Sequence, residues 1–200
     1  MNPRVLKIKM HDIQVYIAEA MRIRRTIQIY SEFFGSQKSL NILNNLSAEV
    51  TTVIRRSMHD EIIISLARLF DGKSYQFNNT NYEYLSQFNL IEKHKNSMTP
   101  ALNKLREKTT ELLTSISLKD YRNFKIAHND KPTLTGDSPT VKHDISYEKI
   151  TALIETSIKL MIGLMASING KVTINIWADI NDKNIGVGNA FIEKLSKIDN

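Results

Sequence analysis

The 200-residue sequence has no cysteine, only seven glycines and four prolines, and a single tryptophan. The missing cysteine excludes disulfides and thiolate metal sites, and it favours a reducing cytoplasmic location. So few glycines and prolines leave too few chain breaks for an all-β fold. The first ten residues also lack the apolar run of a signal peptide. These shortages together predict a cytoplasmic helical protein.

No stretch of the sequence predicts a membrane span. The most apolar segment, residues 150–168, still contains Glu155 and Lys159, so it predicts a buried helix. With 27 Lys and Arg against 21 Asp and Glu, the net charge is +6. A basic chain is compatible with a polyanionic partner such as RNA, although lysine-rich proteins often carry such a charge for solubility alone.

Apolar residues recur every three or four positions along most of the chain, which predicts amphipathic helices. The first helix is expected at about 11–34 and the second at about 40–70, with a break near residues 45–47. The second stripe comprises Val50, Ile54, Met58, Ile62, Leu66 and Leu69. A polar loop at 72–80 and a short helix at 82–95 should follow.

Helix-start signals place the remaining elements. Thr99-Pro100 predicts a helix start, Ser117-Leu-Lys-Asp120 matches a capping box that restarts a helix to about His128, and Ser146 caps the last long helix. Residues 171–178 alternate weakly, as a short strand would, and a final short helix is expected at 188–198. The prediction is an all-α, antiparallel up-down bundle of four to five long helices. We expect one domain over 1–200, with a core at about 11–170 and residues 171–200 packed on it as an extension.

One short segment, residues 121–130, combines several chemically useful side chains. It reads Tyr121-Arg-Asn-Phe-Lys-Ile-Ala-His-Asn-Asp130, so Arg122 and Asn123 precede His128 by about one and a half helical turns. The spacing of an arginine and a histidine is a weak pattern alone, since Arg4 and His11 also match it. Its setting is more informative, because His128 falls where a capped helix ends before a long connection.

In these residues the sequence resembles the abortive-infection (AbiU-like) branch of the HEPN superfamily. That branch has an Arg-polar-x-x-x-Ala-His-x-Asp segment after an earlier helix that ends in a Leu-Phe-Asp-like stretch, which is Leu69-Phe70-Asp71 here. The resemblance implies an all-α bundle, a homodimer, and a metal-independent ribonuclease of phage-defence or toxin systems, with an antitoxin as a possible partner. The position two residues after the histidine is Asp130, where some HEPN toxins have a tyrosine, so a modified-tyrosine switch is not expected.

The residue types suit RNA cleavage without a metal or other cofactor. A histidine transfers protons near neutral pH, so His128 is the candidate general acid and base. The fork of Arg122 matches two phosphate oxygens, and Asn123 could bind phosphate or orient a neighbour. Asp130 could hold the imidazole tautomer. Tyr121, Lys125 and Asp130 are the further candidates for contacts to the substrate.

Helix geometry argues for two copies of the chain. Six residues turn a helix by about 240° and advance it by about 9 Å, so Arg122 and His128 of one chain do not stack on one face. A compact site forms more easily where two copies meet across a twofold axis. We therefore expect a homodimer with the site at its interface.

Several other interpretations remain open at this point. Arg122 could pair with Asp120 or with a carboxylate on another helix, and His128 could cap a helix end. The chain could be a non-catalytic module that binds RNA or protein. The His59-Asp60 pair could belong to an HD-type metal phosphohydrolase, although no small residue follows it.

Three groups of side chains are assigned structural roles. We expect an ion pair between Arg68 and Asp71. For the aromatic residues around the short third helix we expect packing roles, with stacking on bases as the alternative. The basic spots on the first two helices are expected to be solvated faces, with contacts to an RNA backbone as the alternative. The aromatic group comprises Tyr75, Phe77, Tyr82, Tyr84 and Phe88, and the basic spots comprise Arg22, Arg24, Arg25, Arg55 and Arg56.

Overall fold

The computed structural model describes residues 3–72, 74–123, 145–169 and 186–197. Two long helices come first, α1 (Pro3–Phe34) and α2 (Gln37–Leu69), followed by a hairpin of β1 (Ser74–Phe77) and β2 (Thr80–Glu83). Next are α3 (Gln87–Lys93), a 3₁₀ turn (Lys95–Ser97), α4 (Pro100–Ile116) and the short α5 (Leu118–Tyr121). Two more described helices are α6 (Tyr147–Asn169) and α7 (Val187–Leu195). The all-α prediction is confirmed.

Helix α1 lies between α2 and α6, and α4 packs on the other side of α6. Neighbouring helices run antiparallel: Tyr16 contacts Ser157 near the middle of α6, while the end of α1 approaches Tyr147. The predicted stripe on α1 is buried, and Ile23 and Ile27 are each only 1% exposed. Burial of such side chains supplies the main stabilisation of the bundle, at about 25 cal/mol per Å² of apolar surface.

Helix α6 is the one described helix whose length and composition would allow it to cross a membrane. Its most apolar window has a mean hydropathy of 1.4, and 61% of that window is buried inside the protein. Its buried residues contact both α1 and α4. The prediction of a buried helix at residues 150–168 is therefore confirmed.

The helix starts follow their local signals, with one exception. The Thr99 hydroxyl accepts from the Leu102 amide, the Ser146 hydroxyl accepts from the Lys149 amide, and α2 is kinked at Ser47, near the expected break. A helix restarts at Leu118 as predicted, but the capping box at Ser117 is wrong. Ser117 has the left-handed backbone conformation (φ 50°) and its side chain makes no cap, so it ends α4 and turns the chain into α5.

The segment after α2 is a hairpin, which corrects the expected loop at 72–80 and the expected helix at 82–95. Asn78 and Asn79 both have positive φ, 48° and 60°, as a two-residue hairpin turn requires. Asparagine tolerates this conformation better than most residues. Polar and aromatic residues alternate on both sides of the turn, and this period of two favours strands. Helix α3 begins only at Gln87, capped by the Ser86 hydroxyl.

The expected stripe on α2 is buried only in its second half. Ile62, Leu66 and Leu69 are in the core, whereas Val50 is 55% exposed and Ile54 is 43% exposed. The apolar stripe therefore continues past the part of α2 that α1 covers. The expectation that the whole stripe is buried is wrong for a single chain. The predicted strand at 171–178, and Trp177 within it, lie outside the described residues.

Helix α7 is attached to α1 through the carboxylate of Glu32. Its two oxygens accept hydrogen bonds from the backbone amides of Gly186 (2.9 Å), Gly188 (2.6 Å) and Asn189 (3.3 Å). A Cβ at position 188 would lie 2.7 Å from the Glu32 Oε2 atom, so glycine allows this close approach. A negative charge at a helix N-terminus is favoured by the exposed amides and the helix dipole.

Replacing Glu32 by glutamine should lower the free energy of unfolding by about 1.5–3 kcal/mol at neutral pH, the range for hydrogen bonds to a charged group. Burial opposes ionisation of Glu32, but its hydrogen-bond donors outweigh burial, so the pKa lies below its ordinary value. The stabilisation is then complete above the unfolded pKa of about 4.3 and is lost as the pH falls through the folded pKa.

Urea unfolding of the wild type and Glu32→Gln at pH 7 and below pH 4 tests this prediction. The difference between the two proteins should shrink in acid. Glu193→Gln, an exposed site on α7, is the control and should change stability little. An equal loss in both variants would contradict the assigned role of Glu32.

Candidate active site

The candidate site forms where α5 packs against the end of α2. Helix α2 ends at Leu69, and Asp71 follows it by two residues. After the left-handed turn at Ser117, α5 lies against α2 and carries Arg122 just beyond its last residue. The Arg122 Nη1 atom donates to the Asp71 Oδ1 atom at 3.2 Å. Each of the two side chains is 22% exposed, so the ion pair is partly withdrawn from water.

Asn123 holds the same guanidinium from the other side. The Arg122 Nε atom donates to the Asn123 Oδ1 atom at 3.1 Å, and both residues lie in a wider π-helical turn. The guanidinium is thus oriented by two acceptors on different atoms. Among the residues that the structure describes, nothing accepts from its Nη2 atom. A guanidinium has five N–H donors, so this arrangement leaves donors for an added anion.

A cleft of about 380 Å³ opens beside this guanidinium. Its floor is apolar, formed by side chains of α2, α4 and α5, and its rim carries Asp71, Lys119, Asp120 and Arg122. The rim has two positive and two negative charges, so it has no net charge of its own. An arginine on an apolar floor binds oxyanions more strongly than one in open water, because the effective dielectric constant is lower. The cleft can therefore hold a phosphate group against Arg122.

Tyr121 lies outside this cleft. Its ring meets the His59 ring edge-on, with centroids 5.7 Å apart, on the side of α5 that faces the middle of α2. Burial raises the pKa of the Tyr121 hydroxyl, and the nearby Asp60 and Tyr30 raise it further. The structure thus separates Tyr121 from Arg122, although both were candidates for contacts to one substrate.

Three of the predicted site residues, Lys125, His128 and Asp130, lie outside the described residues. Of the six candidates, the structure therefore brings together Arg122 and Asn123 and places Tyr121 nearby. The roles of the other three remain predictions from the sequence.

Asp71 is the site residue that the sequence analysis missed. The expected pair between Arg68 and Asp71 is wrong, since Asp71 pairs with Arg122, 51 residues later in the chain. The open alternative that Arg122 pairs with a carboxylate on another element is the one observed. A signal was present, because Asp71 ends the Leu-Phe-Asp stretch on which the family resemblance rests.

The described residues contain no group of three or more His, Asp or Glu side chains that could hold a metal ion. The His59 Nδ1 atom lies 3.4 Å from the Asp60 Oδ1 atom, and the His59 ring packs against aromatic rings of Tyr30 and Tyr121. A metal phosphohydrolase of the HD type needs further ligands beside such a pair. The described part of the chain therefore gives that alternative no support.

The two basic spots differ in their surroundings. Arg22 is paired with Glu19 and Glu61, and Arg24 is paired with Glu155. The Arg56 side chain is 84% exposed, and its Nε atom lies 3.8 Å from the Asp60 Oδ2 atom. An ion pair so long and so exposed is weak. Arg22 and Arg24 thus join α1 to neighbouring helices, so the expected solvated face is wrong for Arg24, whose side chain is only 17% exposed, whereas Arg56 lies on the surface as expected.

The pairing of Asp71 with Arg122 should appear as a coupling in folding stability. In a double-mutant cycle of Asp71→Ala and Arg122→Ala, the double variant should lose less unfolding free energy than the two single variants lose together, by about 1 kcal/mol. Each single change leaves one partly buried charge without its partner, and the double change leaves none. Denaturant unfolding of the four proteins measures it. The cycle of Asp120→Ala and Arg122→Ala is the control, and there the two losses in unfolding free energy should add. If the losses in the first cycle also add, the ion pair is contradicted.

Comparison with known proteins agrees with the resemblance seen in the sequence. The chain matches the HEPN family described as AbiU2 over residues 14–191. No curated protein and no solved structure matches it. The match spans α2, α5 and the whole segment from Tyr121 to Asp130, and thus includes both halves of the candidate site. The chain therefore belongs to the AbiU2 family of HEPN proteins, which associates it with abortive infection.

Proposed function

We propose that the chain is a metal-independent endoribonuclease, acting as a toxin or phage-defence effector. The observation that supports this most is the Arg122 guanidinium, which Asp71 and Asn123 orient at the edge of an open cleft. An oriented donor group stabilises charge that develops on a phosphate in the transition state, without reorganising at that moment.

The proposed reaction is a transesterification within RNA. His128 removes the proton from a ribose 2′-OH, whose oxygen attacks the adjacent phosphorus. The new O2′–P bond forms as the P–O5′ bond breaks, and an acid returns a proton to the leaving 5′-oxygen. The products are a 2′,3′-cyclic phosphate and a 5′-hydroxyl. In this scheme Arg122 binds the non-bridging oxygens, and Lys125 and Asp130 are secondary contributors.

The structure changes the role that we assign to Asn123. Since its side-chain oxygen accepts from Arg122 Nε, we propose that it positions the guanidinium and does not itself bind phosphate. Tyr121 packs on His59, so its proposed contact to RNA would be outside the Arg122 cleft.

A second function has one observation in its favour. The ion pair with Asp71 already balances the charge of Arg122 within the chain. Such a pair also suits a module that binds RNA or a protein partner without cleaving it. Such a module would show RNA affinity that falls steeply with salt, but no cleavage.

Incubation of the purified protein with total RNA and a metal chelator separates the two functions. We expect cleavage by the wild type, and a loss of at least about a hundredfold in rate for Arg122→Ala and His128→Ala, as removal of one charge-stabilising or proton-transferring group causes. Arg106→Ala and His11→Ala remove the same side-chain types from exposed positions and should cleave normally. Binding without cleavage by the wild type would favour the second function.

Expression in cells gives an independent measurement. The wild type should slow growth, and the two site variants should relieve this at equal protein level. A cognate antitoxin, if the system has one, should suppress the effect of the wild type. Toxicity that is unchanged in both variants would refute the assignment.

We further propose that the active form is a homodimer with the site at its interface. The first half of α2 offers a surface for this, here called the α2 stripe, which is apolar and 42–60% exposed in one chain. It comprises Leu46, Val50, Val53 and Ile54. Contiguous exposed apolar residues of this kind mark interaction sites. The Arg122 cleft lies at the C-terminal end of α2. The two clefts of such a dimer therefore lie at the same end only if the two paired α2 helices run in the same direction.

Replacing Val53 by aspartate should convert the dimer to a monomer, because it buries a charge without a partner in the interface. If the site is shared, RNA cleavage should fall in parallel. Val15→Asp is the control, since Val15 is similarly exposed (41%) but lies on α1. Light scattering measures the mass, and a Val53→Asp protein that stays dimeric would exclude the α2 stripe as the interface.

A further inference from the structure

The hairpin of β1 and β2 has one aromatic face and one polar face. In its antiparallel register Tyr75 pairs with Tyr82 and Phe77 with Thr80, while Ser74, Gln76, Asn81 and Glu83 alternate with them. Successive side chains of a strand point to opposite faces. The face that carries Tyr75, Phe77, Thr80 and Tyr82 is called here the aromatic face, and it has no charged residue.

The aromatic face is exposed to solvent. Tyr75 and Tyr82 are each 44% exposed and Phe77 is 61% exposed. On the opposite face, Glu83 forms an ion pair with Lys93 of α3, which ties the polar side of the hairpin to the helices. The expectation that Tyr75, Phe77 and Tyr82 pack the third helix is therefore wrong, although Phe88 does pack against the core.

The tyrosine rings are held in a fixed arrangement. The Tyr75 and Tyr82 rings are stacked, with centroids 5.4 Å apart and planes 20° apart, and the Tyr84 ring lies 4.8 Å from Tyr75. Phe77, next to them at the tip, has no ring partner among the described residues. A two-stranded hairpin is marginal by itself, and such a cross-strand pair stabilises it. The pair thus presents a preformed aromatic surface to solvent.

The hairpin begins close to the candidate active site. Only Gly72 and residue 73 separate β1 from Asp71, the partner of Arg122, and the Ser86 hydroxyl donates to the Gly72 carbonyl at 2.9 Å at the base of the hairpin. Since an extended residue spans at most about 3.6 Å, the Cα atoms of Asp71 and Tyr75 lie within about 14 Å of each other. A few nucleotides of an unpaired strand cover such a distance.

We propose that the aromatic face binds unpaired bases of single-stranded RNA, next to the phosphate held by Arg122. Every base has a π-face, so aromatic side chains stack on unpaired bases without sequence preference, whereas a duplex buries those faces. The net charge of +6 and the absence of a carboxylate on this face suit a polyanion. This inference rests on the proposed function in its choice of RNA as ligand and in the phosphate placed at Arg122.

Fluorescence anisotropy with a short labelled oligoadenylate tests the proposal, with every variant built in the His128→Ala background to prevent cleavage. Phe77→Ala should weaken binding about tenfold or more, and Phe77→Tyr should restore it, since stacking on one ring contributes roughly that much. The slope of log K against log salt should stay the same, because no phosphate contact is removed.

Tyr147→Ala, which removes a 38% exposed aromatic side chain from α6, is the matched control and should bind as the parent does. Tyr75→Phe and Tyr82→Phe keep the rings and should also bind normally, which separates stacking from the tyrosine hydroxyls. A duplex of the same length should compete poorly with the single strand.

Several results would overturn the proposal: no binding by the parent protein, equal affinity of Phe77→Ala, or equal affinity for the duplex. A change in oligomeric state of Phe77→Ala with unchanged RNA affinity would instead assign the aromatic face to contacts between proteins. The two proposals fail separately. Hairpin-dependent binding without cleavage by the wild type would refute the nuclease alone, and cleavage that is indifferent to Phe77 would refute the aromatic face alone.

Discussion

The ion pair between Arg122 and Asp71 joins the end of α2 to the turn that follows α5, and the candidate site depends on it. Both side chains are only 22% exposed, and the cleft floor beside them is apolar. A guanidinium in such a place needs an acceptor, because loss of its partner leaves a partly desolvated charge. Asp71 supplies that acceptor and Asn123 orients the Nε atom, so the arginine has a fixed direction before any ligand binds.

The bundle explains why the site is accessible. Helix α1 is covered by α2 on one side and α6 on the other, and this burial fixes the second half of α2. Helix α5 is a single turn that adds Leu118 to the core, while its Lys119 and Asp120 line the cleft beside Asp71. Among the described residues, exposed apolar side chains form two groups next to α2, the α2 stripe and the aromatic face of the hairpin, and others such as Val15 and Tyr147 are scattered over the other helices. Both groups adjoin α2, so contacts made at either place would act on the helix that Asp71 directly follows.

Sequence periodicity predicted the long helices well and the region after α2 poorly. The stripes of α1 and α6 repeat over many turns, and the caps of α4 at Thr99 and of α6 at Ser146 use local hydrogen bonds. The hairpin depends instead on two asparagines with positive φ, a conformation that the residue type permits but does not require. Ser117 is similar: its sequence fits a capping box, yet the docking of α5 on α2 places its backbone in the left-handed region.

The sequence by itself determined the helical class, most helix limits, and the segment around Arg122 that identifies the family. These features depend on residues a few positions apart, whose side-chain periodicity and capping chemistry are local. Only the tertiary structure decided that Asp71 and not Asp120 holds Arg122, that Tyr121 turns towards His59, and that the α2 stripe stays uncovered. The two pairings join residues 51 and 62 positions apart, and packing of whole helices chooses among partners that the sequence leaves equivalent.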